Sequence, residues 1–338
     1  MNHRRVSTTA ATLLAASAGL FSSCARRQTA EVNPIEPSFA ISRPRAPLNS
    51  AVEITYTWKA DPEAKKLGQD YRALVHFLDS HNVMLFDDDH VPEPPPTGWE
   101  PGKTYSYTRT KFIPIYPYVG DVEVRMGLYP PSGKGERVML KGTDANGMRE
   151  FKVGKIELLP QTENIFLVYK EGWHGTEVSP QNPSVERMWT KKEALVSFKN
   201  PKRDVVVYLE ADTNFKAFQQ QPVLTLGVGG GSGVQVPIDS SEVFLKKVRF
   251  KAEQLGNDEW VDLRLMMNQS FVPKTLGINS DERELGLLVY HLYVGEADKL
   301  GQPLPAQIVD AAALPTATAS SSKASAPAKP APAAKGKV

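Results

Sequence analysis

Val52-Glu53-Ile54-Thr55-Tyr56-Thr57-Trp58-Lys59 places an apolar side chain at every second position, with polar ones between. That period of two is the mark of a pleated strand with one face in a core and the other in water. Residues 121–128 repeat it: Val122, Val124, Met126 and Leu128 alternate with Asp121, Glu123, Arg125 and Gly127. Between the two, Tyr71 to Leu78 (YRALVHFL) is apolar on both faces and suits a central strand, while Pro101-Gly102, Pro130-Pro131 and Ser132-Gly133 punctuate turns. Further strands follow at Val205–Leu209, Val223–Val228, Val261–Met267 and Leu285–Val294, separated by turns at roughly ten-residue intervals and without a βαβ rhythm. The fold class expected is all-β.

Composition agrees and narrows the functions. The 338 residues hold 41% hydrophobic residues, enough for ordinary cores, with 24 Gly and 27 Pro pointing to a loop-rich β protein. One cysteine, Cys24, makes no internal disulfide, and no Cys/His cluster has structural zinc spacing. The formal charge of +2 is segregated: residues 1–27 and 311–338 carry only bases, leaving 32 bases against 38 acids, net −6, over 28–310. A nucleic-acid binder concentrates Lys and Arg on its folded part, so that class is set aside.

The N-terminus reads as an export signal. His3, Arg4 and Arg5 form a positive region, and Ala10 to Phe21 form an apolar core too short to span a membrane. Phe21-Ser22-Ser23-Cys24 resembles the bacterial lipobox, with Phe21 where Leu is usual. The resemblance implies a signal peptide over 1–23, a lipidated Cys24 and a mature protein held at a membrane by its acyl chains, which anchor through about 0.8 kcal/mol per buried CH₂. Ala25, not Asp, follows the cysteine, which implies outer-membrane delivery if the host has two membranes. Residues 24–47, punctuated by Pro34, Pro37, Pro44 and Pro47, read as a tether leading into a first edge strand, and 311–338, rich in Ala, Pro and Lys, as a disordered tail.

Two series of motifs carry a family resemblance. Trp58, Val75-His76-Phe77-Leu78-Asp79, Asp88 to Pro92, Trp99-Glu100-Pro101-Gly102 and Gly127-Leu128-Tyr129 resemble an Ig-like module of bacterial envelope proteins, often found beside polytopic membrane glycosyltransferases. Gly172-Trp173-His174-Gly175-Thr176-Glu177, Arg187-Met188-Trp189-Thr190, Ser270-Phe271-Val272-Pro273 and Asp281-Glu282-Arg283-Glu284-Leu285-Gly286 resemble a jelly-roll module of the carbohydrate-binding kind. The resemblance implies two β-sandwich domains, Ig-like over 48–157 and jelly-roll over 165–298, in an envelope setting. It assigns no ligand site to particular residues.

Candidate chemistry is sparse. The acidic run Asp87-Asp88-Asp89-His90, with His76, Asp79 and His81 nearby, lacks the positions and turn glycine of a Ca²⁺ loop, and reads as a strand end whose acids cap turns. Gly227 to Gly233 (GVGGGSG) lacks the Lys-Ser/Thr ending of a phosphate loop and reads as a hairpin connection. Ser232 lacks the spacing of a nucleophile elbow. Glu177 and Asp281 are the carboxylates nearest to a hydrolytic pair, with Asp281 and Arg283 better read as an ion pair beside a strand. No catalytic residue, metal site or cofactor is expected.

What remains is aromatic. Sugar binding uses a flat ring against a pyranose face, with polar groups fixing the hydroxyls. Trp173, Trp189 and Trp260, with Tyr290 and His291, are the ring candidates in the second domain, and Glu177, Asp281 and Arg283 the polar ones, while Trp99 reads as a turn anchor. The partners expected are the membrane, through Cys24, and either an envelope polysaccharide or an envelope protein complex.

Overall fold

The computed structural model describes residues 31–179, 185–229, 231–301 and 307–314. The signal segment, Cys24 and residues 315–338 of the expected tail lie outside the described residues. The chain is all-β, its short helical turns being 3₁₀.

The first sandwich comprises β1 (Ile35–Ile41), β2 (Arg45–Pro47), β3 (Ala51–Ala60), β4 (Arg72–Leu78), β5 (Met84–Asp87), β6 (Thr104–Phe112), β7 (Gly120–Tyr129) and β8 (Phe151–Leu159). One sheet runs β1-β3-β6 and the other β2-β8-β7-β4-β5, an Ig-like arrangement in which the first stretch of chain serves both sheets. The two alternating segments are β3 and β7, and their apolar residues, Val52, Ile54, Tyr56, Trp58, Val122, Val124, Met126 and Leu128, are buried together. Within residues 24–47, read from sequence as tether, 35–41 and 45–47 are strands of the fold. Ile35 and Ala46 reach the core, and Pro37 lies in β1, at a sheet edge where a missing N–H leaves no ladder bond unmade.

The second sandwich comprises β9 (Leu167–Tyr169), β10 (Glu177–Val178), β11 (Glu186–Trp189), β12 (Glu193–Lys199), β13 (Val205–Asp212), β14 (Val223–Val228), β15 (Ser232–Pro237), β16 (Phe244–Phe250), β17 (Trp260–Met267), β18 (Leu288–Glu296), β19 (Ile308–Asp310) and β20 (Ala312–Ala313). Its two six-stranded sheets run β10-β11-β18-β13-β16-β19 and β20-β15-β14-β17-β12-β9. Val196, Phe198, Val207, Leu209, Leu226, Leu263, Leu265 and Val294 fill the space between them. The glycine-rich segment joins β14 to β15 as a hairpin with Val228 opposite Ser232. The start of the expected tail is ordered. Ala312 and Ala313 pair with Gly233 and Ser232, and Leu314 lies over Gly227 and Gly233, where the absence of a Cβ leaves room for its side chain.

The alternation of β3 fails at Glu53, expected in water. Its carboxylate is buried beneath the second sandwich, 3.0 Å from Lys247 Nζ, with the Thr110 hydroxyl donating to it at 3.1 Å. Around this pair Ala51 and Phe112 of the first sandwich pack on Val206, Tyr208, Tyr293, Ala297 and Leu300 of the second. Phe112 stacks flat on His291, with ring centroids 4.2 Å apart. One outer face of the second sandwich is therefore an internal surface of the protein.

The acidic run of the first sandwich is spent on its own fold. Tyr56 donates to the Asp88 carboxylate at 2.8 Å, and the Val75 amide to Asp89 at 2.9 Å. His90 lies 2.6 Å from the Asp88 carbonyl through Nδ1 and 2.7 Å from the Tyr107 hydroxyl through Nε2. Because a carbonyl only accepts, Nδ1 carries the proton and Nε2 accepts from Tyr107, whose oxygen accepts in turn from Trp58 Nε1 at 3.3 Å. Burial disfavours the imidazolium and lowers the His90 pKa to about 4. Trp99 is the anchor expected: buried, stacked on Tyr105, and donating to the Pro94 carbonyl at 2.9 Å.

Candidate functional site

The motifs of the second sandwich meet along one seam. On one side of Thr190, just after β11, its neighbours Trp189 and Lys191 bond to His174 and Gly172, and on the other Thr190 itself bonds to Gly286 and Leu287. The Lys191 amide donates to the Gly172 carbonyl at 2.8 Å, and the Gly286 amide to the Thr190 carbonyl at 2.8 Å. A Cβ on Gly172 would sit 1.9 Å from the Glu193 carbonyl oxygen, and one on Gly286 2.4 Å from that of Lys191, so both motif glycines are required by close backbone approach. Phe271 and Leu285 exchange two backbone bonds, 2.9 and 2.8 Å, and close the loop between them over the same seam.

Against this seam lies a cavity of about 240 Å³ lined by Glu177, Trp189, Asn214, Phe271, Pro273, Ile278, Asn279, Asp281, Arg283 and Leu285. Four of the eight residues nominated from sequence line it together: Glu177 from β10, Trp189 from β11, and Asp281 and Arg283 from the loop. Arg283 is their centre. Its Nε lies 3.0 Å from both Asp281 oxygens, and its Nη2 lies 2.7 Å from Asp281 Oδ2 and 2.7 Å from Glu177 Oε1. The guanidinium holds the Asp281 carboxyl below the usual carboxylate range, and the two acids hold Arg283 firmly protonated. Trp189 meets Phe271 edge to face at 5.9 Å, so an aromatic wall stands beside this charged cluster.

Sequence reasoning missed Asn214, Ile278 and Asn279, which reach the cavity from loops without any periodic signal. It also missed Arg187, whose backbone pairs with Glu177 across β10 and β11. Arg187 lies beside Tyr290 and Asp212, and its buried Nε makes no hydrogen bond. Tyr290 donates to Asp212 at 2.8 Å, and burial pushes that carboxyl up.

The other nominated rings lie elsewhere. Trp173 donates its indole N–H to the Leu195 carbonyl at 2.9 Å and packs on the core, edge-on to Tyr169. It is an anchor of the seam, with its polar atom already used. Trp260 begins β17 on the opposite sheet and is 46% exposed. His291, between Phe112 and Glu210, belongs to the contact between sandwiches. A roomier cavity of about 410 Å³, lined by Lys191, Lys192, Glu193, Met266, Met267 and Glu284, contains no aromatic ring.

No protein-family model and no curated protein matches the sequence. Among solved structures, similarity is found to a family GH115 4-O-methyl-α-glucuronidase with specificity for decorated arabinogalactans, at 12% identity and a TM-score of 0.29 over 44% of this chain and 20% of that one. An exo-β-1,3-galactanase from Phanerochaete chrysosporium matches at 10% identity and 0.24 over 76% and 56%, and the collagen adhesin of S. aureus at 8% and 0.17 over 79% and 83%. This chain thus spans about a fifth and about half of the first two. Scores this low carry no argument about what it binds.

Proposed function

We propose that the protein is a non-catalytic envelope lipoprotein, anchored through a lipidated Cys24, that binds a polysaccharide in the cavity of its second sandwich. The observation that carries the reading is the convergence of Trp189, Phe271, Asn214, Asn279, Glu177 and Arg283 on one cavity, an aromatic wall beside fixed donors and acceptors. The volume suits one sugar residue and favours a chain end or a side branch. Holding is favoured over cutting by the state of the acids. Glycoside hydrolysis needs one carboxyl free to donate a proton and a second free to act as base or nucleophile, whereas the two that line the cavity, Glu177 and Asp281, share the Arg283 guanidinium, which holds Asp281 ionised.

The test is calorimetric titration of the full-length protein, and of its Trp189→Ala and Arg283→Gln variants, with purified envelope polysaccharides. Saturable binding that weakens at least about tenfold in both variants, with circular dichroism unchanged, supports the reading. No binding by the folded protein to any fraction overturns it and moves the weight to a scaffold of an envelope complex. Incorporation of labelled palmitate into the wild type but not into Cys24→Ser checks the anchor separately.

A further inference from the structure

Trp260, which the cavity does not use, belongs to a different surface. It lies opposite Lys199 in the pairing of β12 with β17. The pairing of β12 with β9 sets Phe198 opposite Leu167, and carried one residue further the same register sets Lys199 opposite Phe166. Phe166, immediately before β9, thus lines up with Lys199 of β12 and Trp260 of β17 in one row, on the face turned away from the core that its neighbours Ile165 and Leu167, and Phe198, enter. Phe166 is 75% exposed and Lys199 lies between the rings, also exposed. The rings stand two inter-strand steps apart, about 9.5 Å, more than the width of one pyranose. In the next rows Lys170 pairs with Asp262 at 3.2 Å and Arg264 with Glu193 at 3.0 Å, and Ser197 donates to Asp262. These four charges cancel in pairs, while Lys199 has no ion-pair or hydrogen-bond partner among the described residues.

Two solvent-facing rings that flank an uncompensated cation match a chain of flat-faced units carrying negative charge. We infer that the outer face of β9, β12 and β17 is a second binding surface, and that it takes an extended strand of acidic polysaccharide, with Phe166 and Trp260 as stacking platforms and Lys199 as the partner of a sugar carboxylate. Charge complementarity selects this occupant over a neutral glycan, because no other net charge is present in the row. The surface lies on the opposite sheet from the cavity, and the inference does not depend on what the cavity binds.

The test uses the full-length protein with polygalacturonate oligomers as the acidic probe and dextran as the neutral one, followed by indole fluorescence and calorimetry. Trp260→Ala and Phe166→Ala are each expected to weaken polygalacturonate binding about tenfold. Lys199→Gln is expected to abolish both the preference over dextran and the salt dependence, in the wild-type and in the Trp189→Ala background alike. Because all three positions of the row are exposed, unchanged thermal melting is expected and separates lost binding from lost fold. Absence of polygalacturonate binding, binding that survives the triple variant, or equal binding of dextran overturns the inference. So does loss of the same three side chains that instead releases the protein from phosphatidylglycerol vesicles, which would make the row a membrane contact.

Discussion

The two outer faces of the second sandwich are built by the same rule and end differently. On the sheet containing β13, β16 and β18, the outward residues Val206, Tyr208, Tyr293 and Lys247 are buried under Ala51, Glu53 and Phe112 of the first sandwich. On the sheet containing β9, β12 and β17, the outward residues Phe166, Lys199 and Trp260 face water. Each face carries aromatic rings and a lysine, so composition does not distinguish them. What differs is whether the lysine has been given a carboxylate. Lys247 meets Glu53 with both side chains 8% exposed, whereas Lys199 meets none. A closed contact must neutralise the charge it buries, and a face kept open for a ligand leaves that to the ligand.

The most severe way to break this contrast is Lys247→Ala. It strands Glu53 in the contact and is expected to cost about 3–5 kcal/mol in urea unfolding, most of it recovered by the double change Glu53→Leu with Lys247→Met. Equal stability of the single variant and the wild type would mean that the face is not closed in solution.

Acid should separate the two sandwiches next. The unfolded chain protonates His90 near 6.5 and the folded one only near 4, so this contribution is complete above pH 6.5 and is lost as pH falls from 6.5 to about 4. It amounts to about 3 kcal/mol for a shift of this size. Glu150, held down to about 2 chiefly by His76 and also by Arg137, adds a second loss below its ordinary 4.5. Both groups lie in the first sandwich, which should unfold first in a pH series followed by hydrogen exchange. His90→Gln should flatten the slope between pH 6.5 and 4.

Smaller effects sharpen the comparison. Arg264→Ala removes an exposed ion pair of the open face and should cost under about 1 kcal/mol, less in high salt. Trp260→Ala should leave stability within about 0.5 kcal/mol while weakening polygalacturonate binding about tenfold. A larger loss of stability would show that the indole is packed rather than presented.

Much of the fold was legible because it rests on period. Val52, Ile54, Tyr56 and Trp58 could only be one side of a strand, and the hairpin around the glycine run followed from a missing Lys-Ser/Thr. Boundaries were less legible. Prolines at 37, 44 and 47 suggested a tether because proline opposes a ladder, yet a sheet edge tolerates it, and β1 and β2 are edge strands. In the candidate site Glu177, Trp189, Asp281 and Arg283 were found from residue type and motif, and they meet around one guanidinium. Asn214 and Asn279 had no such signal, because loop residues acquire a role only from where the loop lands. Trp173 packs on the core and gives its N–H to the Leu195 carbonyl, a use that residue type alone does not reveal, since such a tryptophan looks in sequence like any other.

Taken alone, the sequence determined the strands, their inward faces and the residue types from which a sugar site would be made, because side-chain alternation is a local property of an extended backbone. The tertiary structure decided which outward faces are hidden, which tryptophan is presented and which acids share Arg283. Those depend on residues far apart in sequence, such as Glu53 and Lys247 or Glu177 and Arg283, being brought within a hydrogen bond of each other, and nothing local encodes that distance.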